Sequence, residues 1–278
     1  MSEAKVTVSS PMPGLRRNFA LAGQDAILAV TGWRIWTTLA WNDIAQRYRR
    51  SIIGPFWLTL STAIFVGALG FLYAGLLHQN INTYLPYLAT GYVLWMMLSS
   101  FLVEAAQCFI ASEGYLKQMR MSKIGVVLRM VLRNFIIFLH NMLVIVVVML
   151  IFRIVPGPFF LLVLPGLMLN LWFGTALALL LGIVCTRFRD LTQIIISLIT
   201  VLFFCTPIFW NPKTSAKGLA LVSAINPFAA FIAIFRDPLL GLPIDAYDWW
   251  VASGCTLGMT VIAAAFFVRF RSRILYWL

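Results

Sequence analysis

Charge is scarce in this sequence. Only 11% of its 278 residues are Asp, Glu, Lys or Arg, and 62% are hydrophobic. Soluble domains carry roughly 25% charged and about 45–50% apolar residues. A soluble globular domain is therefore excluded, as are disordered and collagen-like chains. Acids are the rarer charge, nine against 21 basic residues, for a net charge of +12. Histidine occurs only at His78 and His140. Neither has Cys, Asp or Glu at ligand spacing, so no metal site is expected. Cys108, Cys185, Cys205 and Cys255 sit in or beside apolar runs with no C-x-x-C pair, which reads as small buried hydrophobes. No G-x-x-x-x-G-K-[ST] run occurs, so the chain carries no phosphate-binding loop, and ATP-driven work would need another subunit. Residues 1–18 lack an apolar core and do not read as a cleavable signal peptide.

What is present is apolar length. A mean hydropathy of +0.92 and room for about six spans of ~20 residues define an all-α polytopic membrane protein. Residues 1–17 read as a polar cytosolic tail. Residues 18–50 read as one amphipathic helix in the membrane interface, with Trp33, Trp36, Ala40 and Ile44 on one face. The transmembrane domain, 51–278, then has spans at about 52–77, 85–110, 130–152, 159–184, 191–210 and 249–270. A basic, helix-prone connection covers 111–129. An outer segment at 211–248 is broken by Asn226-Pro227 into two short re-entrant helices. Asp190, three residues before Gln193, resembles a capping box opening the fifth span.

Seventeen of the basic residues fall in the N-terminal region, the 111–133 stretch, the 186–190 loop and the C-terminus. The other four are Arg153, Lys213, Lys217 and Arg236. The positive-inside rule places the first set, and both termini, in the cytoplasm. Glu104 lies in a span near its cytosolic end, within reach of water or an arginine, and reads either as a structural ion pair or as part of a substrate passage. His140 beside Asn141 reads as an interhelical hydrogen-bonding contact. Tyr92 and Trp95 belong to an aromatic-rich outer half of the first two spans. They read either as interface anchors or as rings lining a sugar conduit. Arg47, Arg49 and Arg50 stand where the interface helix meets the first span, placed for lipid headgroups or for a substrate pyrophosphate.

Several stretches in this order resemble the permease subunit of polysaccharide-exporting ABC transporters, the family that exports O-antigen, capsule and teichoic-acid chains. They are Arg47-Tyr48-Arg49-Arg50-Ser51 with Gly54-Pro55 and Trp57, Gly91-x-x-x-Trp95, Gly114-Tyr115-Leu116-Lys117, Arg187-Phe188-Arg189-Asp190-Leu191, Thr206-Pro207-Ile208-Phe209, Asn226-Pro227 and Phe235-Arg236-Asp237. One departure is Met119-Arg120-Met121-Ser122, where the family often has a proline after the Leu-Lys pair.

The resemblance implies a type-2 ABC exporter fold in the bacterial inner membrane. It implies a homodimer joined to two separate nucleotide-binding subunits, which would hold the ATP and magnesium. The cargo would be a lipid-linked polysaccharide, with no nucleic acid partner and no cofactor in this chain. The ATPase-coupling contact is then expected at Ser112, Glu113, Tyr115, Lys117 and Arg120, with Arg187, Arg189 and Asp190 as a cytosolic loop motif. The alternatives are an intramembrane transferase acting on polyprenyl-linked sugars, a passive channel or assembly subunit, and another ABC-type lipid or drug exporter permease.

Overall fold

Among the described residues, apolar runs punctuated by Pro, Gly and Asn become eleven α-helices and one short 3-10 helix in the computed structural model. It describes residues 15–49, 53–54, 56–76, 78–119, 121–212 and 217–278. Arg50, Arg120, Lys213, most of the expected tail, and residues 52, 55 and 77 of the expected first span lie outside the described residues.

Helices α1 (Leu15–Thr31) and α2 (Trp33–Tyr48) precede the spans. The single interface helix expected over 18–50 is thus two helices meeting at Gly32. The Trp36 indole N–H donates to the Ala29 carbonyl at 2.8 Å and ties α2 back onto α1. Ala40 and Ile44 are buried, whereas Trp33 is exposed, so the expected common face is shared out. One side of α2 packs on protein and the other presents Trp33 and Trp41 outward.

The spans follow. Helix α3 covers Phe56–Leu76, α4 Ile81–Ala105, α6 Lys123–Ile151, α7 Val163–Arg187 behind a 3-10 turn at Pro158–Leu162, and α11 Ala246–Trp277. These five are long and apolar enough to cross a membrane. The count becomes six if the bent pair α9 (Lys217–Ile225) and α10 (Pro227–Leu240) is one span. That pair turns by 92° at Asn226. The Asn226 side chain accepts from the Phe228 N–H at 3.0 Å, and Pro227 opens α10 without needing a donor.

The fifth crossing expected at 191–210 is shorter than its apolar run. Helix α8 stops at Cys205 after 15 residues, about 22 Å at ~1.5 Å per residue against a hydrocarbon core of ~30 Å. Pro207 is the physical reason. It disfavours helical backbone at the residue before it, and Thr206 is extended (φ −97°, ψ 136°). The expected capping box is absent as well. Asp190 is itself helical and makes no side-chain cap, so α8 begins at Leu191 without it.

Helix α4 is the hub. In its most apolar stretch 67% of residues are buried, against 17% for α3 and 22% for α11. It packs against α3, α6, α7, α8 and α10. Helix α7 reaches this hub through small residues every fourth position: Gly166, Asn170, Gly174, Ala178 and Gly182, all buried. A Cβ at Gly174 would collide with the Phe101 ring, and one at Gly166 would stand 2.6 Å from the Ile234 carbonyl oxygen. At Gly166 two backbones meet, and at Gly174 the Phe101 ring lies against the helix backbone, because no side chain intervenes.

Polar links fasten α3 to α6. Thr59 donates to the His140 carbonyl at 3.1 Å and Thr62 to the Asn141 side-chain oxygen at 3.2 Å. The His140 ring itself bonds within its own helix, Nδ1 to the Ile136 carbonyl at 2.8 Å. The interhelical hydrogen bonds expected there belong to its backbone and to Asn141, while the ring meets Phe56 of α3 edge-on at 6.3 Å.

Candidate functional site

The end of the bundle that collects the basic segments holds most of the candidate residues. After α4 the chain runs through turns at 106–112 into α5 (Glu113–Gln118), which Leu116 anchors by burying its side chain. Glu113 and Lys117 form an i,i+4 ion pair at 2.6 Å and are half exposed. The Lys117 hydrogen bond, then its charge, holds the Glu113 carboxyl below the usual range, with Arg189 adding a smaller pull. The 186–190 loop follows α7 at this end, where α11 packs against both α7 and α5. Arg187, Arg189 and Asp190 are exposed there, and the Arg187 guanidinium lies 5.7 Å from the Trp277 ring of the C-terminal helix. Of the expected coupling residues, Glu113, Tyr115 and Lys117 reach the surface. Ser112 is 7% exposed and packed inward, so it offers no docking surface.

Beneath α5 lies a layer of part-buried ion pairs that the sequence reading foresaw only at Glu104. Arg129 of α6 grips Asp43 of α2 with two bonds, Nε at 2.8 Å and Nη2 at 2.5 Å. Arg133, one turn on, bonds the same carboxylate at 3.1 Å and Glu104 of α4 at 2.5 Å. Glu104 also accepts from the Asn134 amide at 2.7 Å. Farther round, Asp25 of α1 is 1% exposed. It accepts from Ser122 at 2.8 Å, from the Ile124 N–H at 3.0 Å and from Arg271 of α11 at 2.9 Å. Three of the nine acids thus clamp the two N-terminal helices and three spans at one end. The missed signal was the arginine pair at i and i+4 opening an apolar helix, a basic face that has to find acids.

Arg47 and Arg49 are exposed at the end of α2, one turn beyond Asp43, and Arg50 lies outside the described residues. The two aromatic candidates separate. Tyr92 is partly exposed and stacks on Phe65 of α3, centroids 4.6 Å apart. Trp95 is 4% exposed, boxed between Phe203 and Phe228 with ring centroids at 6.0 and 5.9 Å. Its ring is core packing, and the sugar-stacking role expected for it is corrected accordingly.

At the opposite end, the non-helical stretch after α8 is held by side chains. Tyr84 donates to the Phe209 carbonyl at 2.8 Å, Tyr87 to that of Trp210 at 3.3 Å, and Arg236 to that of Pro207 at 2.9 Å. Asn226 adds a bond to the Thr206 hydroxyl at 2.9 Å. The Arg236 guanidinium also lies 3.8 Å over the Tyr87 ring. Irregular backbone at membrane depth is tolerated only when satisfied in this way.

Comparison with known proteins supplies the family context. The sequence profile of the ABC-2 type transporter family matches residues 34–240. An O-antigen export system permease protein RfbA of Klebsiella pneumoniae is 24% identical over 197 residues, covering 70% of this chain and 76% of the relative. A protein of the same name from Myxococcus xanthus is 24% identical over 232 residues, covering 78% and 88%.

Proposed function

Because the chain belongs to the ABC-2 type transporter family, and is accordingly a transport permease without nucleotide-binding machinery of its own, we propose that it is the membrane subunit of an exporter that moves a lipid-linked polysaccharide of the O-antigen kind out of the cytoplasm across the bacterial inner membrane. Two copies would form the path, and two separate ATPase subunits would drive it. The observation that carries this reading is the gathering of α5, the 186–190 loop, the N-terminal helices and the C-terminal end of α11 at one basic end, within a chain matched over 34–240. The names of the relatives, O-antigen export system permease proteins, support the cargo class.

In this reading the basic end is cytosolic, with six crossings and both termini inside. The ATPase holds Glu113, Tyr115 and Lys117, with Arg187 and Arg189 alongside. Arg47, Arg49 and Arg50 receive the pyrophosphate of the lipid carrier, since guanidinium forks bind phosphate oxygens two at a time. The conduit runs between protomers along α3 and α8. Both are apolar outside the protomer core, and Thr192 is the buried residue of α8. A chain of many sugars needs an open lane rather than a closed pocket, and Tyr92 on Phe65 lines its wall. A transferase would need unpaired acids at a membrane face, whereas Asp25, Asp43 and Glu104 are each neutralised by arginine.

The test is reconstitution with the ATPase subunit in proteoliposomes. ATP hydrolysis is expected to rise with lipid-linked polysaccharide, and a deletion strain is expected to retain that glycan inside the inner membrane. Failure to bind any ATPase subunit, or hydrolysis indifferent to the glycan, overturns the reading.

A further inference from the structure

The α5 turn and helix α2 belong to different parts of the molecule, and among the described residues the Arg129 guanidinium lies between them. We propose that Arg129 is a positioning residue through which a displacement of α5 is passed to α2. This rests on the reading of α5 as the ATPase contact.

Arg129 uses both of its binding geometries at once. Its face lies 4.7 Å from the ring of Tyr115 in α5, and its edge makes the paired bonds to Asp43 in α2. A guanidinium is suited to this because its plane stacks on aromatic rings while its edge presents a fixed fork to a carboxylate. An ammonium group makes either contact but has no plane to orient both. The side chain is only 12% exposed, so the link is screened by salt less than a surface pair is.

The surroundings turn the contact into a joint. Arg133 shares the Asp43 carboxylate and fixes Glu104 on α4, which stops α6 and α4 from sliding when Arg129 is pulled. Tyr115, at 36% exposure, is open to contact from outside while its ring meets Arg129 within. Arg47 stands four residues beyond Asp43 on α2, one helical turn, so a rotation of α2 about its buried side moves the exposed arginines. An event at the α5 surface therefore has a continuous physical route to the residues placed for the lipid headgroup. Each step of that route is a contact in the structure: ring to guanidinium, guanidinium to carboxylate, carboxylate to helix.

Amide hydrogen exchange by mass spectrometry on the assembled transporter tests the proposal. Nucleotide-free and vanadate-trapped states are compared with the permease lacking its ATPase. In the wild type, α5 is expected to gain protection when the ATPase binds, and nucleotide trapping is expected to shift exchange in peptides covering α2. In Arg129→Lys the α5 protection is expected to remain while the α2 shift is lost. Tyr115→Leu, at a site exposed enough to tolerate change, should also lose the α2 shift. Tyr115→Phe, which keeps the ring face, should retain it. If α5 is protected but the α2 shift survives in both Arg129→Lys and Tyr115→Leu, Arg129 is not the joint, although the docking reading stands. If α5 gains no protection from the ATPase, the docking reading falls and takes the joint with it.

Discussion

The two ends of the helical bundle are fastened by different chemistry. At the basic end, acids on α1, α2 and α4 meet arginines on α6 and α11, and the groups joined lie up to 246 residues apart in the chain. At the opposite end, side chains of α4 and α10 donate to backbone carbonyls in one irregular stretch, Pro207 to Trp210. The difference follows from what each end lacks. Helices α1 and α2 have intact backbones but little apolar area to bury, so they need charged ties, and these stay 2–24% exposed. The stretch after α8 has apolar side chains in abundance but lost its helical hydrogen bonds at Pro207, so it needs donors. Ion pairs partly open to water weaken with salt, and buried donors to carbonyls do not. The basic end is thus adjustable and the other end is fixed.

The largest effect is expected at Arg236, a buried arginine of the fixed end that also pairs with Asp237 at 3.2 Å. Arg236→Leu removes the shorter of two donors to the Pro207 carbonyl, leaving the Tyr87 hydroxyl at 3.4 Å, and strips the cation from Tyr87 and Asp237. Breaking a buried charge-assisted network costs about 3–5 kcal/mol. Thermal unfolding in detergent should show this loss equally at low and high salt. A loss that shrinks with salt would erase the distinction between the ends.

Next in size is Gly166→Ala. The new methyl would press on the Ile234 carbonyl, which is backbone and has little freedom to yield. Overpacking of this kind costs about 1–3 kcal/mol. Limited proteolysis should report it as loosening of α10 from α7, with the basic end unchanged. If cleavage appears first near α1 or α2, the two ends are not independent.

Legibility in the sequence divides along the same line. The spans were readable because Val, Ile and Leu runs of sufficient length are self-evident, and the Asn226-Pro227 break located the bend before α10. The end of α8 was not, because the apolar run continues past Pro207 and hydropathy does not register backbone geometry. Trp95 misled for a related reason. On a helix apolar all round, periodicity cannot separate the face turned to a neighbouring helix from the face turned to a conduit. Glu104 was readable as an ion pair because a lone acid in a span must be neutralised. Asp43 was not, because nothing local marks a partner 86 residues away. The small residues at every fourth position of α7 were a signal open to reading, and they locate its tightest packing.

At the adjustable end the expected effect is smaller and salt-dependent. Glu104→Gln keeps an acceptor for Asn134 but removes the charge facing Arg133, which still holds Asp43. A charge-assisted hydrogen bond is worth about 1.5–3 kcal/mol, and sharing of the arginine with Asp43 keeps the loss near the lower figure. Unfolding midpoints at low and high salt should converge between variant and wild type. Parallel curves would mean that the pair is as sealed as Arg236.

The smallest effect is expected at the surface pair on α5, which separates burial from pairing. Glu113 and Lys117 have a short contact and favourable i,i+4 spacing, yet both are open to water. Exposed pairs of this kind contribute little to global stability. Lys117→Met should therefore leave the unfolding midpoint unchanged while altering how Glu113 titrates. In the wild type the hydrogen bond and charge of Lys117 hold the carboxyl below the ordinary glutamate value of about 4.3. The sign follows from that depression. Any support the pair gives α5 is complete above the ordinary value and disappears as the pH falls through the lowered one. Carbon-detected NMR of Glu113 should show a midpoint below the ordinary range in the wild type and a return toward it in Lys117→Met. Arg189 is expected to leave a small residual depression. If Lys117→Met instead destabilises the protein as much as Glu104→Gln, pairing alone holds the basic end, and the burial of the Asp43 and Glu104 layer counts for nothing extra.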